Sequence, residues 1–485
     1  MSIDTVGISG LALYLPPYRV DLRQWCDWTG TAWAKVGSVV GTGFRLPGPG
    51  QGVYTMAATA VLRLMDQYDV DPGRVRFLAL GTESSTDNSA GAVIIRGMLD
   101  DALRQRGMRP LSRNCEVPEF KHACLGGMYA MKNALRFLAT EPGEPVAIVV
   151  SADVAKYDLG SSGEPTQGAG AVAMLLEKRP ALLEVDLAAC GSASAYRAID
   201  FRKPMLRMGP GGASFRETPV FNGRYSTTCY LDQVLQAMRE MWRRMGRQPR
   251  EHLRAVRAVF MHRPYERMPL NSLAFSYLAG LADDGVAGYT ELAGYCAAAG
   301  LDKDRVLAEM RTVPDILALV LEGGLERDPW PLTMRLLREF RDQPAYQEAV
   351  AAKLRLGAQQ MRELGNLYSA SLPAWVAAGL EEALHGDLDL AGQEMLALGY
   401  GSGDAAEAVP MRVAPGWRAA AARIGFAAAL LPAADLSREE YVSLHRTGSG
   451  PQPPPLREEF VIERVGSSSA ADYADEGIEY YRYIR

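Results

Sequence analysis

At least four times along this chain, a short unbroken apolar run stops abruptly in small or polar residues. Val75 to Leu80 runs into Gly81-Thr82-Glu83, and Ala255 to Met261 ends at His262. Glu394 to Leu398 enters Gly399-Tyr400-Gly401-Ser402-Gly403, and Pro145 to Ser151 has the same character. Runs this short and this continuously apolar are strands covered on both faces by helices. Val6 to Leu15, closed by Pro16-Pro17, and Ala171 to Leu176 are two more. Between them the apolar spacing turns helical at Met56 to Tyr68, Ala92 to Leu103, Leu125 to Leu138, Leu231 to Met245, Leu354 to Leu364 and Leu372 to Leu384. Strand–helix alternation of this kind predicts an α/β layered fold, with functional groups at the carboxyl ends of the strands.

The 485 residues make two to four units at roughly 100–200 residues each, or one large pseudo-symmetric enzyme. Lys and Arg number 52 against 57 Asp and Glu, a net charge of −5, which argues against a nucleic-acid partner. The most apolar stretch, Ala419 to Leu431, is broken by Arg423 and stopped by Pro432, too short for a bilayer. Met1-Ser2-Ile3-Asp4 has no basic region ahead of an apolar one, so no signal peptide is expected. The cysteines are scattered with no CxxC pair, which predicts no metal or redox dithiol and a reducing, cytoplasmic setting. Gly448 to Pro455 reads as a linker before a Tyr-rich tail, Tyr473 to Arg485.

Several residues could carry chemistry. Cys124 opens an apolar helix, where unpaired N–H groups favour thiolate, although a buried structural cysteine fits as well. Glu83 sits where a buried strand runs out, as a general base or a capping carboxylate. His262 ends another strand and could polarise a carbonyl, although a surface or satisfied histidine fits as well. Asn366 precedes a helix, as an oxyanion donor or a cap. Gly401-Ser402-Gly403 can turn backbone N–H groups into a cavity, or form a plain turn. Gly160 to Gly170 is a small-residue loop without a phosphate-loop ending.

The order of these segments resembles hydroxymethylglutaryl-CoA synthases. It runs Gly81-Thr82-Glu83-Ser84-Ser85, Glu119 to Cys124, Ser151 to Tyr157, Gly163 to Met174, Asp200-Phe201, Tyr225-Ser226, His262 to Tyr265, Gly365-Asn366 and Tyr400 to Gly403. The resemblance implies a thiolase-like fold. Two βαβαβαββ halves, residues 1–178 and 179–485, would lie in an α/β/α/β/α arrangement, the first carrying Glu83 and Cys124 and the second His262, Asn366 and Ser402. It implies a homodimer acting on acetyl-CoA and acetoacetyl-CoA with no cofactor, for isoprenoid synthesis through mevalonate. Cys124 matches the acetyl-accepting nucleophile, Glu83 the general acid/base and His262 the histidine that orients the acetoacetyl thioester. Asn366 matches an amide on the acetoacetyl group, and Ser402 a backbone donor to the thioester oxygen. Tyr157, Gly163, Thr166, Lys203 and Arg267 are the further positions expected to meet substrate.

Some positions depart from the family pattern. Leu125 follows the nucleophile in place of an aromatic residue, and Phe201-Arg202-Lys203-Pro204 replaces the usual Phe-Trp-Arg-Pro. Two lysines commonly follow the histidine and meet CoA; here Arg267 holds the first place and Leu270-Asn271 the region of the second. An additional helical stretch, about 283–347, separates His262 from Asn366. It is expected on the surface, beside the substrate entrance or along a dimer edge, supplying no catalytic group. The altered basic positions keep a second reading open, a polyketide β-branching relative acting on carrier-protein-bound chains. A catalytically inactive scaffold is disfavoured by the joint presence of Cys124, Glu83, His262 and Asn366.

Overall fold

The computed structural model describes residues 5–485 apart from 86, 203–205, 216–217, 221, 325–326, 432 and 452–456. The first half follows the expected order: β1 (Val6–Tyr14), α1 (Val53–Gln67), β2 (Val75–Gly81), α2 (Gly91–Gln105), β3 (Glu119–Phe120), α3 (Gly126–Thr140), β4 (Val146–Ala155) and β5 (Gly168–Lys178). The second contains β6 (Leu183–Val185), β7 (Gly191–Ser194), α4 (Gly223–Met245), β8 (Ala258–Met261), a helical excursion, α10 (Ser371–His385), β9 (Glu394–Gly401) and β10 (Ala405–Val413). The excursion comprises α5 (Arg267–Asp283), α6 (Gly285–Ala298), α7 (Lys303–Arg311), α8 (Ile316–Gly323) and α9 (Pro331–Phe340).

Strand pairing repeats between the halves. β2 runs parallel to β4, β4 antiparallel to β5 and β5 antiparallel to β1. Likewise β8 runs parallel to β9, β9 antiparallel to β10 and β10 antiparallel to β6. The half-sheets join at one edge, where Gly7 and Ile8 of β1 pair with Glu184 and Leu183 of β6. Among the described residues the second half has no strand matching β3. Helices α3 and α10 pack between the half-sheets, α1 and α2 cover the outside of the first, and α4 and α5 the outside of the second. Because helices lie on both faces, β4 (VAIVVSADVA) and β9 (EMLALGYG) are apolar along nearly their whole length.

Two expected elements differ. Leu354 to Leu364 does not continue as a helix; it forms turns and a short 3-10 segment at Gln360–Glu363. Gly357 breaks it: its φ is +72°, and a Cβ there would lie 2.4 Å from the Gly379 backbone nitrogen on α10. Ala255 ends a helix, Pro249–Ala255, and β8 begins only at Ala258. The expected linker falls largely on residues outside the description. The Tyr-rich tail contributes a strand, Glu479–Ile484, paired antiparallel with Glu459–Val465.

The excursion adds a layer of helix, as its amphipathic spacing predicted. α6, α7 and α9 pack on α5 and on one another. Tyr277 of α5 stacks on Phe340 of α9 at 5.6 Å, and Phe275 lies 4.8 Å from Trp330. α5 is therefore buried almost all round. No described residue of 284–347 lines the central cavity.

Candidate active site

The turn that carries Cys124 is tightly built. Leu125 N–H donates to His122 O at 2.9 Å, and Ala123 takes φ +42°. Left-handed backbone at a residue with a Cβ stores strain and is concentrated at functional sites. Helix α3 starts at Gly126, so Cys124 stands just before its first turn. Small residues make the approach of the two halves possible. A Cβ on Gly127 would lie 3.2 Å from Ser369 O of the second half, and one on Gly401 would lie 2.6 Å from His122 O. Gly401 thus lets the end of β9, from the second half, rest on the cysteine turn of the first.

Cys124 Sγ donates to Glu83 Oε2 at 3.0 Å. Glu83 is held by Asp153, a residue with 0% exposure at the end of β4. Asp153 Oδ1 accepts from Thr82 Oγ1 (2.9 Å), Glu83 N (2.8 Å), Ser84 N (2.8 Å) and Ser84 Oγ (2.6 Å). Its Oδ2 accepts from Ser369 N at 3.0 Å and from the Ser369 hydroxyl. One buried carboxyl group therefore ties the Glu83 loop to the segment leading into α10.

Cys124, Tyr157, Gly163, Thr166, His262, Asn366 and Ser402 line one cavity of about 380 Å³. Its walls are completed by apolar and aromatic groups, among them Val39, Val40, Tyr230 and Met268. Gly163 lies flat on the Tyr157 ring, where a Cβ would meet Cδ1 at 2.3 Å. Thr166 Oγ1 donates to Gly163 O at 2.7 Å. Burial pushes the Tyr157 and Tyr368 hydroxyls above their ordinary pKa, so both remain neutral hydrogen-bonding groups. Burial also drives the His262 pKa down to about 3, making this a neutral imidazole. Tyr230 OH donates to His262 O at 2.7 Å and fixes the strand end that presents it. Asn366 caps the segment that leads into α10. Its Oδ1 accepts from Tyr368 N at 2.9 Å and Ser371 Oγ at 3.2 Å, which leaves the NH₂ end as donor to the cavity.

Ser402 lies on the loop between β9 and β10. Tyr400 OH donates within a buried carboxyl pair, 2.9 Å from both Asp200 Oδ2 and Asp404 Oδ1, and Gly403 N donates to Asp404 at 2.6 Å. Burial and the neighbouring Asp200 raise the Asp404 pKa well above the usual carboxylate range. Arg197 sits 3.7 Å from Asp404 and pairs with Asp232 at 2.7 Å, bringing positive charge to this cluster. Arg267 is exposed at the start of α5. Lys203 lies outside the described residues.

Asp153, Tyr230, Tyr368 and Tyr400 received no role from sequence reasoning. Asp153 carried a usable signal, a carboxylate in an otherwise apolar strand. The tyrosines had none, because only the fold brings them to the cysteine.

Residues 3–180 match the family model described as hydroxymethylglutaryl-coenzyme A synthase N terminal. The hydroxymethylglutaryl-CoA synthase of Enterococcus faecalis is 29% identical over 270 residues, which span 56% of this chain and 63% of that protein. MvaS in complex with 3-hydroxy-3-methylglutaryl coenzyme A superposes with a TM-score of 0.76 at 26% identity, over 99% of this chain and 100% of that one. The curacin biosynthetic pathway HMG synthase in complex with holo donor-ACP shares the fold, with a TM-score of 0.70 at 19% identity over 99% of this chain and 100% of that one. No helix among the described residues is long and apolar enough to cross a membrane.

Proposed function

We propose that this chain is a member of the hydroxymethylglutaryl-CoA synthase family of the thiolase superfamily, an acyltransferase condensing acetyl-CoA with acetoacetyl-CoA and water. The products are (S)-3-hydroxy-3-methylglutaryl-CoA and CoA. The observation that carries the reading is the 3.0 Å contact between Cys124 Sγ and Glu83 Oε2 beside a cavity to which the second half brings His262 and Asn366.

The chemistry follows from these groups. The Cys124 thiolate attacks the acetyl thioester carbonyl, and CoA leaves as its thiol once protonated. Glu83 takes a proton from the acetyl methyl group, while backbone N–H groups of Cys124 and Ser402 receive the developing enolate oxygen. The enolate carbon attacks the ketone carbon of acetoacetyl-CoA, whose oxygen is met by His262 and whose thioester is positioned by the Asn366 NH₂. Neutral His262 acts here as a hydrogen-bonding group, without a net charge. Glu83 returns its proton to the new alkoxide, and water hydrolyses the Cys124 thioester. Tyr157, Gly163 and Thr166 shape the acyl pocket, and Lys203 and Arg267 meet the carrier end.

The reading includes a homodimer, a cytoplasmic setting and a role in supplying mevalonate; the family likeness supports them. Six reduced cysteines fit that setting. A second reading keeps the chemistry and moves the acceptor onto a carrier protein, which the altered basic positions at Arg267 and Leu270-Asn271 leave open. Acetyl-CoA should label Cys124 and none of the other cysteines, as read by peptide mass spectrometry. An adduct that persists elsewhere in Cys124→Ser would overturn the assignment. Turnover of acetoacetyl-CoA beside acetoacetyl-carrier protein decides between the carriers.

A further inference from the structure

We propose that Arg341, brought in by the helical excursion, joins Arg267 at the cavity mouth in a binding site for a phosphate group at the far end of a pantetheine thioester. This inference rests on the thioester reading above and concerns how the carrier end is held.

Arg267 opens α5 and is exposed; its N–H donates to Val39 O at 3.1 Å. Val39, Tyr265 and Met268, which surround it in space or sequence, all line the cavity. Asn271 lies four residues further along α5, on the same helix face at a Cβ separation of about 6 Å. Its Oδ1 accepts from Arg341 Nη2 at 2.7 Å. The excursion therefore fixes a second guanidinium one helical turn from Arg267. Arg338, three residues before Arg341, extends the same face of α9.

What anchors Arg341 is decisive. Around α5 three guanidinium groups meet carboxylates, Arg239 with Asp283 at 2.7 Å, Arg250 with Glu291 at 2.6 Å and Arg362 with Glu266, and Arg311 meets the Ala282 carbonyl oxygen at 3.1 Å. Arg341 instead rests on a neutral amide oxygen, which orients the fork and leaves its charge uncancelled. That bond uses one of five N–H donors. Burial lowers the Arg341 pKa most, Arg267 and Arg338 lie close enough to lower it too, and Tyr346 and Asp342 oppose them. Like charges held together near an apolar cavity mouth favour an anion, and a planar fork favours one with paired oxygens. Arg224 also lines the cavity. A phosphate terminates the pantetheine arm in both CoA and a carrier protein, so the site serves either source.

The test compares acetyl-CoA, acetyl-phosphopantetheine and phosphate-free acetyl-pantetheine as donors for Cys124 acetylation by the full chain. In R341Q the preference for acetyl-CoA over acetyl-pantetheine, as the ratio of their kcat/KM values, should fall about 10-fold or more through KM, the usual weight of a charge-assisted hydrogen bond. Asn271→Asp should reproduce the fall by placing a carboxylate under the same guanidinium, and it supplies the result if R341Q does not fold. A fall that includes acetyl-phosphopantetheine assigns the phosphate next to the arm, and a fall with acetyl-CoA alone assigns the nucleotide phosphates. An unchanged preference in both variants overturns the inference. If no thioester acetylates Cys124 in the unmodified chain, the catalytic reading itself fails first.

Discussion

In the proposed reaction Cys124 and Glu83 form the reacting pair, and the positions of both depend on groups that react with nothing. Glu83→Ala should still accept acetyl on Cys124, because transfer to a thiolate poised before a helix needs no carboxylate base. Condensation should fall about 10²–10⁴-fold, the usual cost of losing a general base. Mass spectrometry and product assay on one sample separate the two steps, and near-normal condensation would exclude Glu83. Asp153→Asn probes the support behind it. The six donors that meet Asp153 are all N–H or O–H groups, and an amide turns NH₂ toward some of them. Leaving buried donors unpaired costs about 1–3 kcal/mol each. The melting temperature should drop and condensation should suffer more than acetylation; equal losses in both steps would mark Asp153 as merely structural.

Among the elements, the excursion carries the residue of the proposed phosphate site. Phe340 packs against Tyr277, Tyr295 and Tyr346, with ring centroids 5.6, 5.0 and 5.8 Å away, and pins the end of α9 that carries Arg341. Phe340→Ala should cost about 3–5 kcal/mol, typical of emptying an aromatic core position. Denaturant unfolding measures that loss. In the folded fraction KM for acetyl-CoA should rise while Cys124 labelling at saturation persists; unchanged KM would show that the arginine does not depend on this anchor. The strands behave differently, since their ends are fixed from both sides of the molecule. β9 can reach the cysteine turn only because position 401 lacks a Cβ.

The whole molecule should respond to pH in two opposite senses. His262 and His252 are buried and neutral, with pKa values lowered to about 3 and about 4. Their ordinary value is about 6.5, so the unfolded chain binds more protons as pH falls below it, and stability is lost on that side. Asp404 has the reverse sign. Its folded pKa is raised by burial and by Asp200, so its contribution is complete below the ordinary carboxylate value of about 4 and is lost as pH climbs toward the raised value. Asp404→Asn mimics the protonated carboxyl group. Above pH 6.5 the histidine contributions are constant, so this variant should flatten the decline in melting temperature seen there in the unmodified protein. A decline of the same slope in both would show that Asp404 is not its source.

Pattern alone determined the α/β class, most strand and helix positions, and the candidate residues at the strand ends, because burial on both faces leaves an unbroken apolar run and a functional loop interrupts it. Order of motifs along the chain singled out Cys124, Glu83, His262, Asn366 and Ser402. Periodicity failed at Leu354 to Leu364, where helical spacing is real but Gly357 is pressed against α10; a contact between distant segments leaves no local period. The same reason hid Asp153, whose partners come from two loops far apart in sequence, and Tyr368 and Tyr400, which are ordinary tyrosines until the halves meet. Asn271 read as a lost cation in the sequence. Only the tertiary structure returns a guanidinium to that place, from a residue seventy positions away, because a helix packed across another can supply at a surface the charge that its own sequence lacks.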